Sequence, residues 1–174
     1  MAILKHASVL AAIGLAALTA GAPQASARIK IGAVLSVTGP ASFLGEPEKK
    51  TLEIYVQDIN AKGGVNGEQL DLIVYDDGGD ANNARTFATR LVEQDRITAM
   101  VGGTTTGTSL AMIPVFEEAQ VPFISLAGSI QIIRPVRKWV FKTPHTDKMA
   151  CEKIFADLKR RNLTTIAMIS GAGA

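Results

Sequence analysis

The chain has 174 residues and a formal charge of +2, and it is 47% hydrophobic, 20% charged and only 5% aromatic. That composition is globular, and with no dense Lys/Arg tract it gives no reason to expect nucleic acid as a partner. One cysteine, Cys151, excludes an internal disulfide and a Cys-x-x-Cys metal site, and two histidines, His6 and His145, exclude a His-rich one.

The first segment reads as a leader rather than as part of the fold. Lys5 gives a short positive start, Ala7 to Ala22 is apolar, and Ala25-Ser26-Ala27 supplies small residues for a peptidase. The apolar run is shorter than the ~20 residues of a spanning helix. A secretory signal peptide over residues 1–27, cleaved after Ala27, is expected.

From Arg28 the chain alternates short apolar runs with amphipathic ones. Ile29 to Leu35 reads as a strand covered on both faces. Ser36 to Gly45 is a loop marked by Thr38-Gly39-Pro40. A helix is predicted from about Glu46, with Pro47 in its first turn and Leu52, Tyr55, Val56 and Ile59 as its buried stripe. Gly63-Gly64 ends it. Leu70 to Tyr75 is the second strand. After a turn with Asp80 as a helix cap, Ala84, Phe87, Ala88, Leu91 and Val92 form the next stripe. Ile97 to Val101 is the third strand. Thr108 to Ala119 is predicted to be a helix carrying Leu110, Ile113 and Phe116 inward. Pro122 to Leu126 is the fourth strand and Trp139 to Lys142 a short extended piece, with Trp139 and Phe141 packed against the sheet. A further helix from Thr146-Asp147 carries Cys151, Ile154, Phe155 and Leu158, and Thr164 to Ile169 is strand-like. Strands alternating with helices imply an α/β fold with a doubly wound parallel sheet. The chain stops directly after its last strand-like run, which reads as a truncation.

In such a sheet, ligands bind at the carboxyl ends of the strands. Three loops lie there: Ser36 to Gly45, Gly102 to Thr108, and Ala127 to Ser129. The glycine-threonine loop combines close backbone approach, three hydroxyls and the N–H groups of a helix start, which together suit a carboxylate. A plain strand-to-helix connection whose threonines cap the helix fits the same residues. No Walker loop and no GxGxxG is present, and no cofactor is expected. Asp76, Asp77 and Asp80 are too closely spaced for a full calcium shell and read as a solvated turn with a helix cap. His145 has no nucleophile beside it in any recognisable motif. Cys151 reads as a small buried hydrophobe.

Two stretches carry a family resemblance. IKIGAVLSVTGPASFLGEPEKKTLEIYVQDINAKGGVNGEQLDLIVYDD and VGGTTTGTSLAMIPVFEEAQVPFISLAGS resemble the periplasmic branched-chain amino acid binding proteins of ABC transporters. The TGP loop, INAKGG, the YDD turn and the glycine-threonine loop occur here in that family's order. The resemblance implies a two-lobed, type I periplasmic binding protein. Residues 28–145 would be its amino-terminal ligand-binding lobe, and residues 146–174 the first helix and strand of a truncated second lobe. It further implies that the hydroxyl and amide of Thr106, with Ser129, hold the ligand's carboxylate. The backbone at Ala127 would accept from its amino group, and Leu44, Thr104 and Thr105 would line the side-chain pocket. Leu44 departs from the aromatic residue frequent at its position, which leaves room for another carboxylate or an amide, aromatic acids included. The implied role is the periplasmic solute-binding component of an ABC importer for a branched-chain amino acid or a related carboxylate or amide. It would be a monomer when full length, partnered by its small-molecule ligand and an inner-membrane permease, with no metal and no catalysis. Two alternatives stand beside it: a ligand-sensing regulator of the same fold, and an extracytoplasmic hydrolase using His145, which no motif supports.

Overall fold

A computed structural model describes residues 28–169. The leader and its cleavage point lie outside the described residues. The elements follow in the order β1 (Arg28–Leu35), α1 (Ser42–Ala61), β2 (Gln69–Asp76), α2 (Ala81–Arg90), β3 (Ala99–Gly102), α3 (Thr106–Ala119), β4 (Phe123–Ser125), β5 (Val140–Lys142) and α4 (Asp147–Arg160). A π turn, Leu91–Asp95, extends α2, and a 3₁₀ turn, Ile130–Ile132, lies between β4 and β5.

The five strands form one parallel sheet in the order β2-β1-β3-β4-β5. This is the doubly wound α/β arrangement expected. β1 lies inside the sheet between β2 and β3, and Ala33, Val34 and Leu35 are fully buried, as its unbroken apolar run requires. The chain leaves β1 toward β2 on one side and returns through α2 to β3 on the other, so the direction of winding reverses between β1 and β3. A crevice at the carboxyl ends of those strands is the geometric consequence.

The two faces of the sheet are covered unequally. Pairing places Met100, Phe123 and Val140 in one row, and all three are buried with Phe116, Ile113 and Met112 of α3 and Ala84, Ala88 and Leu91 of α2 and its extension. Phe116 and Phe123 meet at a centroid distance of 5.1 Å. The opposite row is Val101, Ile124 and Phe141. α1 packs on β2 and β1 and leaves this row open. Phe141 is consequently 52% exposed instead of packed against the sheet, while Trp139 is half-buried and donates its backbone N–H to Glu117 Oε1 at 2.7 Å.

Several expectations change in detail. α1 starts a turn before Glu46, because Gly45 is buried against the end of β1, where a Cβ would run into the Ser36 carbonyl. Pro47 therefore sits inside the helix. Tyr55 is 63% exposed, while Leu52, Val56 and Ile59 are half-buried, so the stripe is narrower than the spacing suggested. α3 begins at Thr106 rather than Thr108, since Thr105 serves as its cap. α4 begins after Thr146 as expected, but none of its residues is buried, and Cys151 is exposed rather than buried. Residues 164–169 form no strand: they are exposed, and no described strand pairs with them. Without a neighbour to complete its hydrogen bonds, high β-propensity alone does not make a strand.

Candidate ligand-binding site

Three hydrogen bonds gather the loops at the carboxyl ends of β1, β3 and β4. Gly103 N donates to Val34 O at 2.9 Å, Leu126 N to Gly102 O at 2.9 Å, and Ser36 N to Thr104 Oγ1 at 3.0 Å. Behind them runs a fully buried serine relay. Ser109 Oγ donates to Gly103 O at 2.8 Å, so its only proton is committed. The 2.8 Å contact between Ser109 Oγ and Ser125 Oγ must then take its proton from Ser125, and Ser125 Oγ in turn accepts from Ala127 N at 3.2 Å. The relay ties the glycine-threonine loop to the Ala127 loop through α3. Gly103, at φ 69°, is required here, because a Cβ would strike Ser109 Oγ.

The threonines of the middle loop divide their work. Thr104 is 4% exposed, and its hydroxyl is spent internally: it donates to Glu48 Oε2 at 2.6 Å and accepts from Ser36 N. Thr105 caps α3 in a capping box with Thr108. Thr106 makes no side-chain hydrogen bond, and the amides of Thr106 and Gly107 have no partner among the described residues. A hydroxyl and two N–H groups thus stand together at the positive end of α3, the donor set an anionic group needs.

Ser129 and Ala127 lie on the adjacent loop. Ser129 Oγ accepts from Gln131 N at 3.2 Å and starts the 3₁₀ turn. Ala127 is nearly buried, its N–H is committed to Ser125, and its carbonyl has no partner among the described residues. Leu44 is exposed on the first turn of α1. Together with Phe43, Glu48, Leu52, Val101 and Leu126 it lines a groove of about 400 Å³ that runs between α1 and the open row of the sheet.

Residue patterning missed the carboxylates under the site. Asp80 is the expected helix cap, accepting from Asn82 N and Asn83 N, and Asp76 accepts from Thr38 N and Gly78 N. Asp77, however, is 0% exposed, so the expectation of a solvated turn fails at this residue. It follows Tyr75 by two, one residue past the end of β2, and continues the inward side of the pleat. Its Oδ1 accepts from Ser36 Oγ at 2.7 Å and Gly79 N at 2.8 Å, while Oδ2 is a buried oxygen with no partner among the described residues. Burial pushes the Asp77 carboxyl above the usual range, against the bonds from Ser36 and Gly79. Burial also raises Glu48, with the Thr104 bond opposing and the Asp77 charge adding to the rise. Among the described residues, no group of three or more His, Cys, Asp or Glu side chains is placed to hold a metal. His145 is exposed, and its carbonyl accepts from Lys142 Nζ, which also holds Gly128 O and Pro144 O.

The reversal of winding, the gathered loops and the helix start beside them define a doubly wound α/β protein with a crevice at its switch point. The profile described as "Periplasmic binding protein" matches residues 28–174, and the chain belongs to that family, in its leucine-binding-protein-like branch. It is 41% identical over 124 residues to Leu/Ile/Val-binding protein homolog 7 of Brucella abortus, covering 71% of this chain and 30% of that one. It is 31% identical over 170 residues to Leu/Ile/Val-binding protein homolog 3 of Brucella melitensis, covering 95% and 45%. The substrate-binding protein LivJ of Streptococcus pneumoniae, solved with isoleucine, superposes with a TM-score of 0.67 at 30% identity, covering 70% of this chain and 35% of that one. The aligned region thus spans between 30% and 45% of the length of these relatives. They are solute-binding proteins, not enzymes.

Proposed function

We propose that residues 28–145 are the ligand-holding lobe of an extracytoplasmic solute-binding protein of an ABC importer, and that residues from 146 onward begin a second lobe. The ligand is a branched-chain amino acid or a related carboxylate or amide, the permease is an inner-membrane partner, and the leader is removed after Ala27. The observation that carries this reading is the unpaired start of α3. The hydroxyls of Thr104, Thr105 and Thr108 are all engaged, whereas the Thr106 hydroxyl and the Thr106 and Gly107 amides have no partner among the described residues. Thr106 is therefore the carboxylate donor, Ser129 its neighbour, and the Ala127 carbonyl the acceptor for a ligand amino group. Leu44, Thr104 and Thr105 surround the side chain, Thr104 through its methyl because its hydroxyl is occupied. The relatives' names supply the branched-chain assignment, and the exposed Leu44 leaves space for a bulkier acid.

The test is a titration with leucine, isoleucine and valine read by ligand-observed NMR, a method that reaches the weak affinities of a site contacted from one face. Losing a charge-assisted donor costs about 1.5–3 kcal/mol. Thr106→Val is therefore expected to weaken binding by roughly 10- to 100-fold. Unchanged affinity in a folded Thr106→Val variant overturns the assignment.

A further inference from the structure

Glu48 stands where the two parts of the proposed side-chain pocket meet. Its Oε2 accepts the Thr104 hydroxyl at 2.6 Å, and its side chain lines the same groove as Leu44. The other walls, Phe43, Leu52, Val101 and Leu126, are apolar. Thr51, the remaining polar residue of the groove, donates its hydroxyl to Pro47 O at 2.8 Å. No Lys, Arg or His lines the groove. Glu48 Oε1 has no hydrogen bond or ion pair among the described residues, and it is not one of the buried unpartnered oxygens, so it is open to whatever enters. Because Thr104 is already bonded on both sides, Glu48 supplies the free polar valence of this wall.

A half-buried carboxylate in an apolar groove sets a chemical requirement. In the free protein, water satisfies the open oxygen. A ligand that displaces this water without offering a donor loses a hydrogen bond, and one that offers N–H or O–H replaces it. Sites built this way discriminate by the unpaired group they would otherwise bury. We infer that Glu48 is a specificity-determining residue, and that the groove selects a carboxylate ligand whose apolar side chain ends in an N–H or O–H donor, such as an amide, hydroxyl or phenol, over a pure hydrocarbon. The inference rests on the binding reading above and names the class of ligand side chain that reading leaves open. Burial already holds the Glu48 carboxyl above its ordinary range, with the Thr104 bond opposing and the Asp77 charge adding. A donor brought by the ligand compensates for water the carboxylate has lost.

Matched pairs of nearly equal shape test it: leucine against asparagine, and phenylalanine against tyrosine, titrated into the purified chain by ligand-observed NMR. The donor-bearing member of at least one pair is expected to bind about tenfold more tightly, the low end for a bond to a charged group. Glu48→Met should bring that ratio within about twofold. If Glu48→Met fails to fold, Glu48→Leu serves, because it too presents no hydrogen-bonding atom to the groove; the ratio should fall there too. Binding without donor preference in either pair, or a preference that persists in a folded Glu48 variant, overturns this inference alone. Failure of all four probes to bind overturns the binding reading, and this inference with it.

Discussion

Removing Ser125 probes the coupling between the two loops that form the crevice. Ser125→Ala deletes the acceptor of Ala127 N–H and the donor to Ser109 Oγ, and both serines are fully buried. The Ala127 amide is left without a partner, at a cost of about 1–3 kcal/mol, and water has no ready path to it. Adding the lost Ser125–Ser109 bond brings the expected loss to about 2–3 kcal/mol. For a chain of this size that is a fall in Tm of about 5–10 °C. Ser109→Ala should cost about 2 kcal/mol, because Gly103 O loses its donor and Ser125 loses its acceptor. The double variant should fall short of the sum by about 1 kcal/mol, since the bond between the serines is counted in both single changes. Urea unfolding followed by circular dichroism on the four proteins gives the cycle. Additivity within about 0.3 kcal/mol would show that the serines do not form one relay. A Ser125→Ala loss below about 0.5 kcal/mol would show that Ala127 finds another partner.

Two further outcomes follow from the same corner of the sheet. Because burial raises the Asp77 carboxyl in the folded chain, its proton favours folding below the ordinary carboxylate range, and that stability is lost as pH rises through the raised value. Asp77→Asn should therefore gain on the natural chain between pH 4.5 and pH 7.5 in urea unfolding, and an unchanged gap would refute the shift. Gly45→Ala sets helix propensity against space. Propensity alone favours alanine by about 1 kcal/mol. The clash with the Ser36 carbonyl should outweigh it, for a net loss of about 2 kcal/mol, and a more stable Gly45→Ala protein would show that α1 can shift freely.

The parts of this fold legible in the sequence are those whose period is set by burial among the described strands and helices themselves. β1 is enclosed on both sides and reads as an unbroken apolar run. The stripes of α2 and α3 repeat every three to four residues because these helices pack on each other and on the sheet. Expectations fail where cover or contact comes from elsewhere. Tyr55, Phe141 and Cys151 are apolar at positions that no described element covers, and periodicity marks an apolar residue without saying what lies against it. The run from Thr164 to Ile169 has strand composition, but a strand is a pairing and no described neighbour pairs with it.

The crevice divides in the same way. The glycine-threonine loop announced itself by composition, yet composition gave its three threonines equal weight. The structure separates them by what else each hydroxyl touches: Glu48 for Thr104, the first turn of α3 for Thr105, and no partner among the described residues for Thr106. Glu48 lies 56 residues from Thr104 in the chain, and Ser36 lies 41 from Asp77, so neither pairing leaves a local signal. One signal was available. Ile73, Tyr75 and Asp77 alternate along a strand whose inward side includes Ile73 and Tyr75, and extending that alternation by one step buries Asp77. Charge suggested a solvated turn, but pleat geometry decided the outcome. It buried a second carboxyl near the site, and the Asp77 charge adds to the rise that burial gives Glu48. Each carboxyl is held by one hydroxyl, Asp77 Oδ1 by Ser36 and Glu48 Oε2 by Thr104, which leaves Glu48 Oε1 open to the groove and Asp77 Oδ2 buried without a partner among the described residues.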